Sequence, residues 1–383
     1  MKKKMLFTLL LGAALIPALP AAETEDNHEC TSWVVMSDLT GGKSVLLHKN
    51  RDSKASWKTN LFVVKAEGGK HAWIGISNGP QKYPSANTGV NDCGVAIAMN
   101  NGDESDAPPG PAKGGLGTPT MAKEALENCA TAEEAVKFLH EVVKAKKYSH
   151  GKYGSIWVVA DPNRAFIIEN DTVRFVAHEV RSGFGIRANG WHFPEMTIYS
   201  YYAPKRLTNY ARREFSVRRA LFADGTKYNE PVTVEKMNAA SRVDSIPEDP
   251  KCPPVCGKMT RSGCTVVIDR EYPGVLTTLY AAFGHPRYTV YVPVPFVLDG
   301  IPVELTDDSF SNGVYARSDK KTELLPQDKL AEFERELNKR QEEAVEQARA
   351  VLKKGGSKAE AAKILNEAFR QNWEAVKKLS AGK

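Results

Sequence analysis

Cys30 and Asp52 are the two residues whose types and spacing carry chemistry most directly. Cys30 opens the run Cys30-Thr31-Ser32-Trp33-Val34-Val35, whose β-branched and aromatic residues read as a strand. The chain then meets a Gly41-Gly42 turn and returns as a second strand, Ser44 to Asp52. A hairpin folded about that turn sets Cys30 opposite Ser53 and close to Asp52. A cysteine exposed as the first residue of a chain combines nucleophile and base. Its α-amine titrates at about 8, close to a thiol at about 8.5, so the amine can take the thiol proton. Such an amine needs a carboxylate to hold it, and Asp52 fits. A neighbouring cation, Lys49 or Arg51, favours thiolate. The oxyanion formed by attack on an amide carbonyl needs donors, and Asn100, Asn101 and Asn189 each close a predicted strand.

The elements that must position these residues are short strands broken by two helical stretches. Strand patterns occur at Asn60–Lys65, His71–Ser77 and Gly94–Asn100, with a turn over Val90–Gly94. Gly102 to Gly117 is rich in Gly, Pro and Asp and reads as a surface loop bordering the Asn100-Asn101 pair. Helices are expected at Thr120–Cys129 and Thr131–Lys144. The second starts with a capping box, Thr131-Ala132-Glu133-Glu134, and buries Ala135, Phe138, Leu139 and Val142. Strands resume at Ser155–Ala160, Ala165–Glu169, Val173–Val180 and Phe184–Ala188. Helices follow at Tyr210–Phe222 and Val234–Ser241, then strands at Cys264–Asp269, Val275–Ala282 and Tyr288–Val294. Runs of adjacent strands with several helices argue for packed layers of helix and antiparallel sheet. Leu330–Leu352 and Ser357–Leu379, split by Gly355-Gly356, form a charged helical tail. It serves as a packing appendage or a dimerisation arm, so a homo-oligomer stays open.

Composition narrows the function classes. The 383 residues are 42% hydrophobic and 26% charged, as in a soluble globular protein. Met1 to Ala22 has a lysine-rich start, an apolar stretch from Met5 to Ile16 and small residues at Ala21 and Ala22, the pattern of a secretory signal. A retained anchor is the competing reading, and the short apolar core argues against it. Removing Lys2, Lys3 and Lys4 lowers the net charge from +6 to about +3, too little to argue for nucleic acid. Glu23–Glu29 reads as a pro-segment. Of the cysteines at 30, 93, 129, 252, 256 and 264, Cys252 and Cys256 suit a local disulfide in an exported protein, and a zinc site fits them less well.

These motifs resemble the N-terminal-nucleophile (Ntn) hydrolases of the choloylglycine hydrolase and acyl-coenzyme A:6-aminopenicillanic acid acyltransferase group. Cys30-Thr31-Ser32 matches the nucleophile strand, and Lys49-Asn50-Arg51-Asp52 matches a second-strand motif, Arg/Lys-Asn-x-Asp. Gly89–Ala96 is similar to a Gly-x-Asn-Glu-x-Gly turn, and Val158–Glu169 to a strand pair with Ala-Asp at its turn. Arg187–Phe193 resembles an Asn-His-Phe segment carrying two extra residues. Cys264–Asp269 and Ala281–Pro286 resemble the closing strands. The matches run in order from Cys30 to about Val294, and the tail after Asp319 lies outside them.

The resemblance implies an α+β fold, a four-layer αββα sandwich over residues 30–318 with a helical extension at 319–383, after a signal (1–22) and a pro-segment (23–29). It implies that Cys30 is the nucleophile, freed by self-processing, and that Asp52 orients its amine. Asn189 with Asn100-Asn101 would form the oxyanion hole. Arg218 or Arg219, with Arg219 taken as the candidate, would sit near the sulfur. The implied activity is C–N cleavage of a small linear amide, by hydrolysis or acyl transfer, in an exported enzyme with no cofactor, no metal and no membrane span after processing. An Ntn dipeptidase and an inactive secreted binding protein on the same fold are the alternatives. A disulfide-bonded Cys30, a turn-forming Asp52 and turn chemistry at Asn100-Asn101 and Asn189 are the structural alternatives for the site.

Overall fold

The computed structural model describes residues 30–53, 57–111, 113–150, 153–201, 204–222, 230–246, 250 and 254–382. The signal, the pro-segment and Cys252 lie outside the described residues. In chain order the first strands are β1 (Thr31–Val35), β2 (Ser44–Asp52), β3 (Asn60–Val64), β4 (Trp73–Ser77), β5 (Thr88–Asn91) and β6 (Ala96–Glu104). Helices α1 (Thr118–Asn128) and α2 (Ala132–Lys144) follow, then β7 (Tyr153–Ala160), β8 (Ala165–Asn170), β9 (Phe175–Val180) and β10 (Phe184–Arg187). Next come α3 (Pro194–Thr197), α4 (Pro204–Leu221), α5 (Val234–Ser241), β11 (Thr260–Asp269), α6 (Pro273–Leu276), β12 (Thr278–Ala282) and β13 (Val292–Pro295). The chain closes with α7 (Ser309–Asp319), α8 (Gln327–Lys353) and α9 (Lys358–Ser380).

Two antiparallel sheets face each other. One has the order β10-β1-β2-β11-β12-β13, the other runs β3 through β9 in sequence order. Strand alternation sorts the side chains. Val34, Leu47, Val266 and Leu279 meet Ile74, Ala98, Val158 and Ile167 between the sheets. On the far side of the seven-stranded sheet, Phe62, Trp73, Ile97 and Trp157 pack on Met121 and Ala125 of α1 and Leu139 of α2. On the far side of the other sheet, Trp33, Val35 and Leu46 pack on Val217 and Leu221 of α4 and Met237 of α5. The layering is therefore helix, sheet, sheet, helix, the four-layer arrangement expected. No helix among the described residues is long and apolar enough to cross a membrane.

Several local expectations are corrected. β1 pairs Thr31 with Asn50 and Ser32 with Lys49, so the ladder extends Cys30 toward Arg51, not Ser53. The connection is longer than a tight turn: Ser37–Leu39 makes one 3₁₀ turn, and Gly41 and Gly42 both take positive φ, 76° and 83°. A shift of two residues preserves which face each side chain takes. The turn expected over Val90–Gly94 is present at Asp92-Cys93, with Gly94 N donating to the Asn91 carbonyl, but Thr88–Asn91 before it pairs as a strand, and β6 continues through Gly102 to Glu104 after an irregular step. Thr131 Oγ1 does cap α2 by accepting from Glu134 N, but Glu134 Oε2 accepts from Ala130 N, so the reciprocal bond falls one residue early. Val275 and Leu276 belong to a helical turn that precedes β12.

The tail is tied down by more than charge. Ser357 and Glu360 form a full capping box, and Leu365, Phe369 and Trp373 of α9 are buried. α8 carries a buried acid, Glu334, whose oxygens accept from Arg242 Nη1 and Nη2 at 2.8 and 2.6 Å and from Tyr291 N at 2.6 Å. The pair α8–α9 packs along β13, the edge of the six-stranded sheet. Each large side chain so buried stabilises by roughly 1.5–3 kcal/mol. The charged residues made this helix look solvated in the sequence, yet Glu334, Asn338 and Gln341 face inward.

Candidate active site

The first hairpin deals its side chains to two sides of the sheet. From β1, Ser32 Oγ donates to Asn100 Oδ1 on the facing sheet at 2.7 Å, while Trp33 Nε1 reaches Met237 Sδ in the helix layer. From β2, Lys49 reaches the facing sheet and Arg51 reaches Asn78 in the loop after β4, while His48 and Asn50 turn to Thr265, Ser241 and Val255. Cys30 shares the parity of Ser32, which brings the thiol to the side of Lys49. Its Sγ lies 3.9 Å from the Asp52 carbonyl oxygen.

Cys30, Lys49, Arg51 and Asp52 line one cleft together with Trp57, Asn78, Asn87, Met99, Asn101, Thr118 and His150. Its volume is about 300 Å³, enough for a small ligand. A larger open groove of about 670 Å³ between β9–β10 and α4 contains none of these groups. Lys49 is buried, and its ammonium donates to Asn100 Oδ1 at 2.9 Å and to the Met99 carbonyl. Burial pulls the Lys49 ammonium below the usual lysine range; the adjoining Cys30 sulfur and Asp52 oppose that, and Arg51 adds to it. Burial likewise lowers Arg51, again opposed by Cys30. Two cations therefore flank the sulfur, and Asp52 is the one carboxylate among the described lining residues.

The three candidate asparagines separate by their bonds. Asn100 is fully committed: Oδ1 accepts from Ser32 and Lys49, and Nδ2 donates to the carbonyls of Arg187 and Ala188 at 3.0 and 2.9 Å. With both amide hydrogens used, its side chain has none for an oxyanion; Asn100 is a clamp between the sheets. Asn101 lines the cleft, its Oδ1 lies 2.9 Å from His150 Nε2, and its Nδ2 bonds to no acceptor among the described residues. Asn189 is buried behind it, donating from Nδ2 to the Asn101 carbonyl at 2.9 Å and accepting from Arg213 Nη2 at 3.2 Å. Asn189 is thus joined to the site without lining the cleft.

Arg219 lies on the exposed side of α4, over the Phe215 ring, and Arg218 lies over Phe184. The arginine that reaches Cys30 and the start of β1 is Arg213, six residues before Arg219. It is fully buried, and its Nη1 donates to the Cys30 carbonyl and to Thr31 Oγ1, each at 3.4 Å. A signal for it existed in the sequence. Tyr210, Arg213, Val217 and Leu221 fall on one helix face, and all four are buried, so Arg213 is a charge on an apolar stripe. His150, Trp57 and Asn78 carried no such signal, because loops bring them to the cleft.

The other described cysteines are differently placed. Burial pushes Cys129 up to about 11 and Cys256 to about 12, and raises Cys264 further and Cys93 less. None of them lines the cleft. His71, Asp92 and Cys93 are the one described group whose potential metal-ligating atoms lie within 4.8 Å of one another, and they also lie outside the cleft lining.

Comparison with known proteins gives one family match. Residues 39–183 match the model of the acyl-coenzyme A:6-aminopenicillanic acid acyl-transferase family. The matched stretch includes Lys49, Arg51, Asp52, Asn100 and Asn101, and excludes Cys30, Asn189 and Arg213. The resemblance carried by the sequence motifs is thus shown. No curated protein matches the chain in sequence. Similar solved structures include a mutant conjugated bile acid hydrolase from Clostridium perfringens, at 12% identity and TM-score 0.40, covering 66% of this chain and 89% of that one. A second variant of that hydrolase has 12% identity and TM-score 0.41, covering 71% and 91%. The Caenorhabditis elegans N-acylethanolamine-hydrolyzing acid amidase ortholog has 15% identity and TM-score 0.40, covering 64% and 97%.

Proposed function

We propose that this chain is a hydrolase or acyltransferase of linear amides that works through a thioester on Cys30, after self-processing makes Cys30 the first residue. The observation that carries the reading is the meeting of Cys30, Lys49, Asp52 and Asn101 in one cleft. The free α-amine takes the thiol proton, and the sulfur attacks the amide carbonyl. The carbonyl oxygen becomes an oxyanion that accepts from Asn101 Nδ2, whose hydrogens are uncommitted, with Lys49 supplying positive charge nearby. Collapse of the intermediate breaks the C–N bond. The leaving amine takes the proton held by the α-amine and departs, leaving an S-acyl enzyme. Water, or an acceptor amine, then attacks the thioester and restores the thiol. Asp52 holds the α-ammonium in place between these transfers. Arg213 fixes the Cys30 carbonyl, and Asn189 fixes Arg213.

The same reading makes residues 1–22 an export signal and 23–29 a segment removed to free Cys30. The test is the intact mass and first residue of the purified exported protein, measured beside amide hydrolysis by wild type and Cys30→Ala. The expected result is a start at Cys30 in active wild type and an unprocessed, inactive, folded Cys30→Ala. Active protein that begins at Glu23, or full hydrolysis by Cys30→Ala, overturns the mechanism. A protein that never exposes Cys30 and hydrolyses nothing is the binding protein that the sequence left open.

A further inference from the structure

Three side chains outside the cleft converge on one point. His71 lies just before β4, and Asp92 and Cys93 form the tip of the turn between β5 and β6. Asp92 Oδ1 lies 2.7 Å from His71 Nδ1, and Cys93 Sγ lies 3.5 Å from the same nitrogen. One potential ligand atom from each residue falls within 4.8 Å of the other two. A proton relay from cysteine through histidine to aspartate uses both ring nitrogens, one for each partner. Here both partners meet Nδ1, which holds at most one proton and cannot bridge them. An imidazole nitrogen, a carboxylate oxygen and a sulfur gathered about one point are instead the donor set of a chelate.

The backbone holds this gathering in place. Asn91 Oδ1 accepts from Cys93 N and Val95 N at 3.1 and 2.9 Å, and its Nδ2 donates to the carbonyls of Leu126 and Cys129 at the end of α1. His71 N donates to the Glu127 carbonyl of the same helix end at 2.8 Å. Asp92 Oδ2 accepts from Ala72 N at 3.2 Å, which leaves Oδ1 turned to the histidine. Bonds of this kind behind the donor atoms fix their aim. The local charge also suits a cation. Asp92 is negative, Glu134 is close enough to act on Cys93, and the neighbouring Lys70 and Lys123 are paired with Glu127. The side chains of His71 and Asp92 are 28% and 34% exposed, so an ion can enter and water can complete its shell.

We propose that His71, Asp92 and Cys93 bind a divalent cation of the zinc type, with three ligands from the chain and a fourth position open to water. Sulfur and imidazole nitrogen select against magnesium and calcium, which take oxygen ligands. Binding turns the Cys93 thiol into a thiolate, releases its proton to solvent and leaves the imidazole proton on Nε2. From Ala96 to Asn101, at ~3.3 Å per residue, β6 runs roughly 16 Å before it reaches the cleft. The ion therefore clamps the β3–β4 connection to the β5–β6 turn and takes no part in chemistry at Cys30. The proposal stands whether or not Cys30 is a nucleophile.

The test is titration of the chelator-treated full chain with cobalt(II), then with zinc. It is run on wild type and on Cys30→Ala, which removes the cleft thiol as a competing ligand. In both, cobalt is expected to bind at one equivalent with a thiolate-to-cobalt charge-transfer band, and zinc to displace it. Loss of an outer-shell partner alone costs roughly 10- to 100-fold in affinity, so Cys93→Ser and His71→Ala, which remove ligands, are each expected to weaken zinc binding by more than about 100-fold. Zinc should raise the melting temperature of the wild type and leave that of Cys93→Ser where it was. If His71→Ala does not fold, Asp92→Asn serves as the second ligand variant, because its amide oxygen can still accept from Ala72 N. Absence of the charge-transfer band overturns the proposal, as does a band in Cys30→Ala that survives Cys93→Ser. Competition by magnesium or calcium as strong as that by zinc overturns it too.

Discussion

Lys49 Nζ donates to Asn100 Oδ1 at 2.9 Å, a bond that joins β2 of one sheet to β6 of the other beside the Cys30 cleft. The same oxygen accepts from Ser32, so one amide locks both strands of the first hairpin to the facing sheet. The lysine of the Lys49-Asn50-Arg51-Asp52 motif is therefore held at both ends of its reach, between Asn100 and the sulfur. Asn101, the next residue, lines the cleft, and its amide hydrogens meet no acceptor among the described residues.

Neighbouring asparagines should consequently fail in different ways. Asn101→Ala removes the proposed oxyanion donor and is expected to lower kcat by about 100- to 1000-fold, with the melting temperature almost unchanged. Asn100→Ala strands buried partners, each at a cost of about 1–3 kcal/mol, and is expected to lower the melting temperature by several degrees. Amide turnover and thermal unfolding of both variants check this, and an active Asn101→Ala enzyme removes that residue from the oxyanion site.

The arginines of α4 give a second contrast. Arg213→Met loses the contacts to the Cys30 carbonyl and to Asn189, and a misplacement of about 1 Å at the nucleophile costs on the order of 100-fold in rate. Arg219→Met, on the exposed side, is expected to keep turnover within about twofold. Because Arg213 is fully buried, its variant also loses stability, so turnover must be read on folded protein. Rescue of turnover in Arg213→Lys, at matched stability, would identify charge as the working property. Equal losses in Arg213→Met and Arg219→Met would refute the placement.

What could be read in the sequence follows how local each signal is. The strand of Cys30, the motif Lys49–Asp52 and helix α5 came from short-range patterns, and their approximate positions could be read from the residues alone. The register slipped by two residues because a 3₁₀ turn at Ser37–Leu39 has no strong signature beside Gly41-Gly42. Arg213 was missed beside Arg218 and Arg219 because several arginines share one helix, and only helix phase set against apolar neighbours singles it out. His150 and Trp57 enter the cleft through loops, and residue spacing says nothing about where loops return. The inward turn of Glu334 depends on Arg242, 92 positions away, a pairing that no local pattern announces.

His48 predicts an acid limit to stability. It is buried, stacked on Trp33 at 4.0 Å, and its pKa is lowered to about 3, chiefly by burial. A base lowered in the folded state stays neutral there while the unfolded chain takes up a proton. Above the ordinary value of 6.5 both states are neutral and His48 costs nothing. Between 6.5 and about 3, stability falls with pH by about 1.4 kcal/mol per unit for this one group. His285, lowered to about 4, adds to the same slope. Urea unfolding at about pH 7, 6 and 5 should show a shallower acid slope for His48→Gln than for the wild type, whatever the variant's absolute stability. Identical slopes would mean that His48 takes up its proton without unfolding.

Asp52 provides the sharpest separation of catalytic from structural roles. Its carbonyl lies 3.9 Å from the Cys30 sulfur, its backbone pairs with Thr260, and its side chain is buried in the cleft lining. As a turn residue it would contribute stability and nothing to turnover. As the partner of the α-ammonium it holds the proton acceptor at the distance the thiol needs. Asp52→Asn keeps the shape and the β11 pairing but removes the charge. Catalysis should therefore drop by on the order of 100-fold, through misplacement of the amine, while the melting temperature moves little. The comparison must use protein already processed to Cys30, because slow processing would otherwise imitate slow turnover. Near-normal turnover per processed molecule in a destabilised Asp52→Asn would return Asp52 to a structural role and leave the amine without its carboxylate.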